Sequence, residues 1–233
     1  MELRKRRCSQ FVRRFIWPRY SNQYQRIDIL VLLPDAAKKR FDAYAQNGQS
    51  AILQVVKDSI RETYATSDIR ADGQVVKIVF TDGMKFEVVP TFKNRWPARD
   101  FTYPDANMGG QWLSTNPKAE QDAMDSKNKE TNGSLKNICK RIRYIRDTYY
   151  KSYHLSGIVI DSFVYDAIER SQWSDDGFET TEWQYVQMLL TRFNMVSACG
   201  QVPFRLNAPG SRQEVDTKSS LDGLGKVLTC MAK

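Results

Sequence analysis

The chain has 233 residues, of which 41% are hydrophobic and 27% charged, with a net charge of +8. This composition suits a globular protein of one large or two small domains with a sizeable core. No apolar run approaches the roughly 18 residues a spanning helix needs, and no apolar stretch follows the basic N-terminus, so neither a membrane partner nor a secretory signal is expected.

The charge is unevenly placed. Arg4, Lys5, Arg6, Arg7, Arg13, Arg14, Arg19 and Arg26 are opposed by Glu2 alone in residues 1–26, and the rest of the chain is almost neutral. The segment reads either as a nucleic-acid-binding arm or as a stretch foreign to the fold. Cys8, Cys139, Cys199 and Cys230 lie far apart, and His154 is the only histidine. They lack the close pairing of a structural zinc site, so reduced thiols in a cytoplasmic protein are expected.

Residues 15–34 read FIWPRYSNQYQRIDILVLLP. The second half predicts a buried strand carrying one acid, Asp28. The first half enters it with aromatics, a proline and arginines, without a turn glycine or a cap. A helical stretch follows. Its second part, Ser50 to Tyr64, sets Ile52, Val55, Val56 and Ile60 on one face, with Ser50 as its expected N-cap. Val75 to Phe80 and Lys85 to Val89 predict a hairpin across Thr81-Asp82-Gly83. Alternation turns Phe86 and Val88 one way and Glu87 and Val89 the other. Pro90 is expected to end that strand, because proline cannot donate to a central ladder. A loop-rich span follows, and Trp96, Phe101, Tyr103 and Trp112 predict that it is ordered and packed. From about Lys118 the pattern is helical. Leu135, Ile138, Ile142 and Ile145 share one face. SGIVIDSFVYDAIER and TEWQYVQMLLTRFNMVSAC predict further helices, and SSLDGLGKVLTCMAK a weaker last one.

Asp28 and Glu87 stand out because both lie inside apolar strands. A carboxylate there is costly to bury unless it is paired or bound to a metal. Two such acids on adjacent strands would suit Mg²⁺ with substrate phosphates. Alternatively, each points to solvent from a half-exposed sheet. Lys136, Lys140 and Arg143 form a basic helix face, with Arg146 nearby, that would suit a triphosphate, or simply a solvated surface. No acid–base triad surrounds His154 and Ser156. Gly109-Gly110 is neither a Walker loop nor a dinucleotide-binding motif.

Taken in order, IDILVLLP, DGMKFEVVPTF, FTYPDANMGGQWLSTNPKAE, LKNICKRIRYIR and LSGIVIDSFVYDAI resemble the cGAS/DncV-like nucleotidyltransferases, the bacterial cyclic-oligonucleotide synthases or CD-NTases. The resemblance runs from about Ile27 to Ala232. It implies an α/β (α+β) fold: a polymerase-β-like nucleotidyltransferase core with a mixed sheet, then a helical domain like those of OAS and poly(A) polymerases. It further implies NTP substrates, ATP among them, with Mg²⁺ or Mn²⁺, and a cyclic di- or trinucleotide second messenger in anti-phage signalling. An effector or regulatory protein encoded nearby is the implied partner; nucleic acid is not. By resemblance Asp28 and Glu87 are catalytic metal ligands. Lys140, Arg143, Arg146, Ser156 and Asp161 are nucleotide-binding. Arg146 stands where lysine is usual.

The sequence departs from the family at the awkward strand entrance. The Gly-Ser phosphate loop is absent, and Arg26 occupies the place of the first acid, two residues before Asp28. Codons chosen for Arg14 to Arg26 spell GSYGRDTAISIS when read one base out of frame, and their last two bases begin an Asp codon. A frameshift therefore accounts for the lost motif and for the basic charge together. The expected organisation is an atypical basic segment at 1–26, a nucleotidyltransferase core at 27–105 and a helical nucleotide-binding domain at 106–233. Two other readings stay open: a non-catalytic nucleic-acid-binding protein of the same fold, and a polymerase-type transferase acting on another hydroxyl.

Overall fold

A computed structural model describes residues 12–15, 26–94, 101–170, 182–198 and 204–232. The chain divides into two compact units, Met1–Asn116 and Pro117–Lys233.

The first unit is built on a mixed sheet. Its elements in chain order are β1 (Val12–Phe15), β2 (Arg26–Leu32), α1 (Asp35–Asp42), α2 (Gly48–Thr63), β3 (Asp68–Asp72), β4 (Val75–Val79), β5 (Lys85–Lys93), β6 (Phe101–Asp105) and β7 (Gln111–Thr115). The main strand order is β1-β2-β5-β4-β3, and β6 pairs with the far end of β5 and with β7. Among the described strands only β2 and β5 run parallel. This pairing needs a crossover, and α1, α2 and the β3–β4 hairpin lie within it. One sheet face is apolar. Ile69, Val76, Ile78 and Val88 pack there with Leu53 of α2 into a buried cluster, and Phe86, Val31 and Ile60 pack against it.

Several elements differ from the sequence-based expectation. The N-cap of α2 is Asn47, whose side chain accepts from Ser50 N at 2.8 Å. Ser50 is therefore a first-turn donor and not the cap. The asparagine also donates from Nδ2 to Ala106 O at 2.8 Å, a contact that only the folded chain supplies. Pro90 does not end its strand: β5 continues to Lys93. Leu33 N donates to Thr91 O, so Thr91 faces β2 and Pro90 faces the other side. On that side the pairing with β4 stops at Val88 and that with β6 starts at Phe92, so no ladder bond is lost at the proline. The hairpin expected at 75–89 gains a third strand, β3, across Gly73.

The loop-rich span is a second hairpin, β6–β7, around the short turn Asn107–Gly109. Trp112 stacks edge-on against Phe92 at 5.5 Å and donates from Nε1 to Asp42 Oδ1 at 2.6 Å. Gly110 lies at φ 92°, and a Cβ there would fall 2.5 Å from Asn47 Oδ1. Only glycine lets the turn come so close to the cap of α2. Because β6 and β7 extend this sheet, the first unit runs to Asn116. Trp96 and residues 16–25, which hold most of the awkward entrance, lie outside the described residues.

The second unit is helical. It contains α3 (Pro117–Glu130), α4 (Ser134–Tyr149), α5 (Gly157–Arg170), α6 (Glu182–Ala198), the two-residue strands β8 (Leu206–Asn207) and β9 (Glu214–Val215), and α7 (Leu221–Met231). Its core gathers Leu135, Ile138 and Ile142 of α4 with Val159, Ile160, Phe163 and Val164 of α5 and Leu224, Val227 and Leu228 of α7. The apolar stripe read along α4 is the buried one. Among the described residues no helix is long and apolar enough to cross a membrane.

Asp105 anchors the β6–β7 turn. It accepts from Asn107 N at 3.1 Å, Asn107 Nδ2 at 2.7 Å and Gln111 Nε2 at 3.1 Å. Burial pushes its carboxyl up, but the hydrogen bonds from Gln111, Asn107 and Gln74 outweigh burial and hold it below the usual 3.8. A depressed folded-state value contributes stability above the unfolded pKa, and that stability is lost as pH falls through the folded value. Asp105→Asn is expected to cost about 1–2 kcal/mol at pH 7. The difference from wild type should shrink below pH 3.8, as urea unfolding at the two pH values would show.

Candidate active site

The parallel register sets Asp28 directly beside Glu87. Strand spacing separates the two backbones by about 4.8 Å and alternation puts both side chains on one face. This face is the one turned away from the apolar cluster of α2. The row continues through Lys77 to Arg70 on the hairpin strands. Glu87 thus has a carboxylate on one side and an ammonium on the other, while Lys77 also bonds Asp72 Oδ2. Both acids are half-buried, and Asp28 Oδ1 is closed off from solvent. One row nearer the strand starts, Arg26 is paired with Lys85.

Two side-by-side carboxylates on a rigid sheet suit one divalent ion that also takes substrate phosphate oxygens. A site of three or more acidic, histidine or cysteine groups is not assembled among the described residues. Asp28 and Glu87 could hold one ion between them, and among the described residues no third carboxylate joins them. Lys77 was not singled out in the sequence. The hairpin turn at Asp82-Gly83 carries the signal for it, because the register that turn sets places Lys77 opposite Glu87.

The remaining candidates lie in the second unit. Lys140 is exposed on α4. Arg143 and Asp161 meet each other: Nη2 donates to Oδ2 at 2.6 Å, with side chains only 12% and 5% exposed. Burial works against the Arg143 charge, but the Asp161 carboxylate overcomes it and lifts the guanidinium above its usual value. Burial, reinforced by Asp161, pushes the neighbouring Cys139 thiol well up, so it is no nucleophile at neutral pH. Arg146 donates from Nε to Asp147 Oδ1 at 2.8 Å and from Nη1 to Leu155 O at 2.8 Å. Ser156 precedes α5, and its Oγ accepts from Val159 N at 3.4 Å.

A sequence profile for the Second Messenger Oligonucleotide or Dinucleotide Synthetase domain matches residues 22–128. That span holds both acidic strands and both hairpins. Over those residues the chain is similar to that synthetase domain family. Solved structures share its α+β fold. The Bradyrhizobium diazoefficiens CD-NTase CdnG in complex with GTP has a TM-score of 0.61 at 12% identity, over 92% of this chain and 71% of that one. The STING-associated CdnE c-di-GMP synthase of Capnocytophaga granulosa has a TM-score of 0.61 at 15% identity, over 87% and 64%. Escherichia coli DncV in its 3'-deoxy GTP bound form has a TM-score of 0.58 at 15% identity, over 89% and 57%. This chain thus spans less than two thirds of the length of the last two, and at these identities the likeness is one of fold. No curated protein matches it in sequence.

The buried Arg143–Asp161 pair makes a direct prediction. Asp161→Asn leaves the guanidinium buried without its counter-charge and is expected to destabilise the chain by about 3–5 kcal/mol. Urea unfolding at neutral pH, which leaves ionic strength unchanged, measures it.

Proposed function

We propose that this chain is a cyclic-oligonucleotide synthase by design, one that joins NTPs, ATP among them, into a cyclic di- or trinucleotide second messenger for anti-phage signalling, and that its catalytic power is impaired. The observation that carries the reading is the register of Asp28 against Glu87 on the parallel pair β2–β5. These two carboxylates are the catalytic metal ligands. A divalent ion held by them would neutralise charge on the triphosphate during attack by a ribose hydroxyl. The rigid sheet fixes where that charge is met, so little reorganisation is needed at the moment of reaction.

The impairment follows from the strand entrance. Arg26 occupies the position of the first acid, and a guanidinium supplies no oxygen ligand to a divalent ion. The Gly-Ser loop that would cradle phosphate is missing from the sequence. Nucleotide binding rests on Lys140, Arg143, Arg146, Ser156 and Asp161 of the helical unit. The setting is cytoplasmic, with a nearby-encoded effector or regulatory protein as partner.

Labelled ATP and GTP with Mn²⁺, resolved by anion-exchange chromatography, test both halves. The chain as it stands is expected to yield little or no cyclic product. Replacing residues 14–26 with the segment encoded one base out of frame should raise the yield at least about a hundredfold. In that repaired chain Asp28→Asn or Glu87→Gln should return it to background. Robust product from the unaltered chain contradicts the impairment, and none from the repaired chain contradicts the function.

A further inference from the structure

Three side chains grip one short piece of backbone in the second unit. Arg146 Nη1 donates to Leu155 O at 2.8 Å and Arg143 Nη2 donates to Gly157 O at 3.2 Å. Between these two carbonyls lies Ser156, whose N–H donates to Ser220 Oγ at 3.1 Å. All three groups are withdrawn from water: the arginine side chains are 12% and 11% exposed, and Ser220 is 0% exposed. Ser220 occupies the N-cap position of α7, where a serine ordinarily satisfies its own helix. Here its side chain makes no capping bond and is turned to Ser156 instead. The helix itself lies hard against the same segment. A Cβ at Gly223 would fall 2.8 Å from His154 O and 3.2 Å from Leu155 Cβ.

The Ser156 hydroxyl contrasts with its backbone. Its one described contact is the long 3.4 Å bond from Val159 N, on a residue that keeps some exposure. A backbone held at three consecutive residues carries a hydroxyl that is only loosely engaged. Such an arrangement presents a group to a ligand, because rotational freedom is removed before binding.

We propose that Arg143, Arg146 and Ser220 are positioning residues that act on the nucleotide through Ser156. The proposal rests on the reading above that Ser156 contacts the nucleotide. It reassigns the two arginines, which the resemblance places on the nucleotide itself, and it adds Ser220, to which no role is otherwise attached. The exposed Lys140 is then the cation that meets phosphate.

A double-mutant cycle on ATP binding with Mg²⁺, measured by calorimetry on the full chain, tests this. Ser156→Ala and Ser220→Ala should each weaken ATP by about tenfold. The double variant should bind no more weakly than Ser156→Ala alone, because Ser220 has nothing to present once the hydroxyl is gone. If wild type does not bind ATP, or Ser156→Ala binds like wild type, the nucleotide reading of Ser156 fails and the proposal falls with it. If Ser156→Ala weakens binding but Ser220→Ala does not, or the two losses add, Ser156 keeps its role and the positioning is overturned. Thermal melting shows whether Ser220→Ala folds. Should it melt early, Arg146→Gln takes its place in the same cycle: a loss that adds to Ser156→Ala marks direct phosphate contact and overturns the proposal.

Discussion

The first unit depends on one pairing, the parallel register of β2 against β5. Like charges set side by side on a sheet are unfavourable, and a half-buried carboxylate is dearer still. Folding alone gains nothing from Asp28 beside Glu87. The sheet tolerates the pair because Lys77 flanks Glu87 and because the opposite face is wholly apolar against α2. The same pairing leaves one side of β5 open beyond Val88, and the β6–β7 hairpin attaches there. Site and scaffold therefore follow from a single register: shifting it by one residue would turn both acids into the apolar cluster.

The helical unit places charge differently. Arg143 and Arg146 are turned inward, against Asp161 and against the carbonyls on either side of Ser156. A guanidinium suits this work, since its planar fork supplies several donors at once and it stays protonated when buried. The exposed Lys140 stays at the surface of the same helix. One basic helix thus carries two kinds of cation, one holding structure and one facing solvent, although the residues look alike in a sequence.

Much of this was legible beforehand, and the failures have physical causes. The acid-bearing strands, the apolar stripe of α4 and the helical second half were readable from period-two and period-3.6 patterns, which are local properties. The cap of α2 was misread because Asn47 and Ser50 are both good capping residues, and the choice is made by Ala106, far along the chain. The rule that proline ends a strand assumes a ladder partner on both sides, and at Pro90 one side is open. The β6–β7 hairpin hid behind prolines and glycines that normally mark loops.

By itself the sequence determined which residues are acids in apolar strands, which helix is basic, the family the chain resembles, and the place where its motif breaks. Tertiary structure alone decided that Asp28 and Glu87 are neighbours, that Arg143 belongs to Asp161, and that Ser220 reaches Ser156. The division follows from range. Periodicity and motif spacing are written in nearby residues, whereas a strand register, a buried ion pair and a hydrogen bond between distant serines exist only once long-range packing has removed the alternatives.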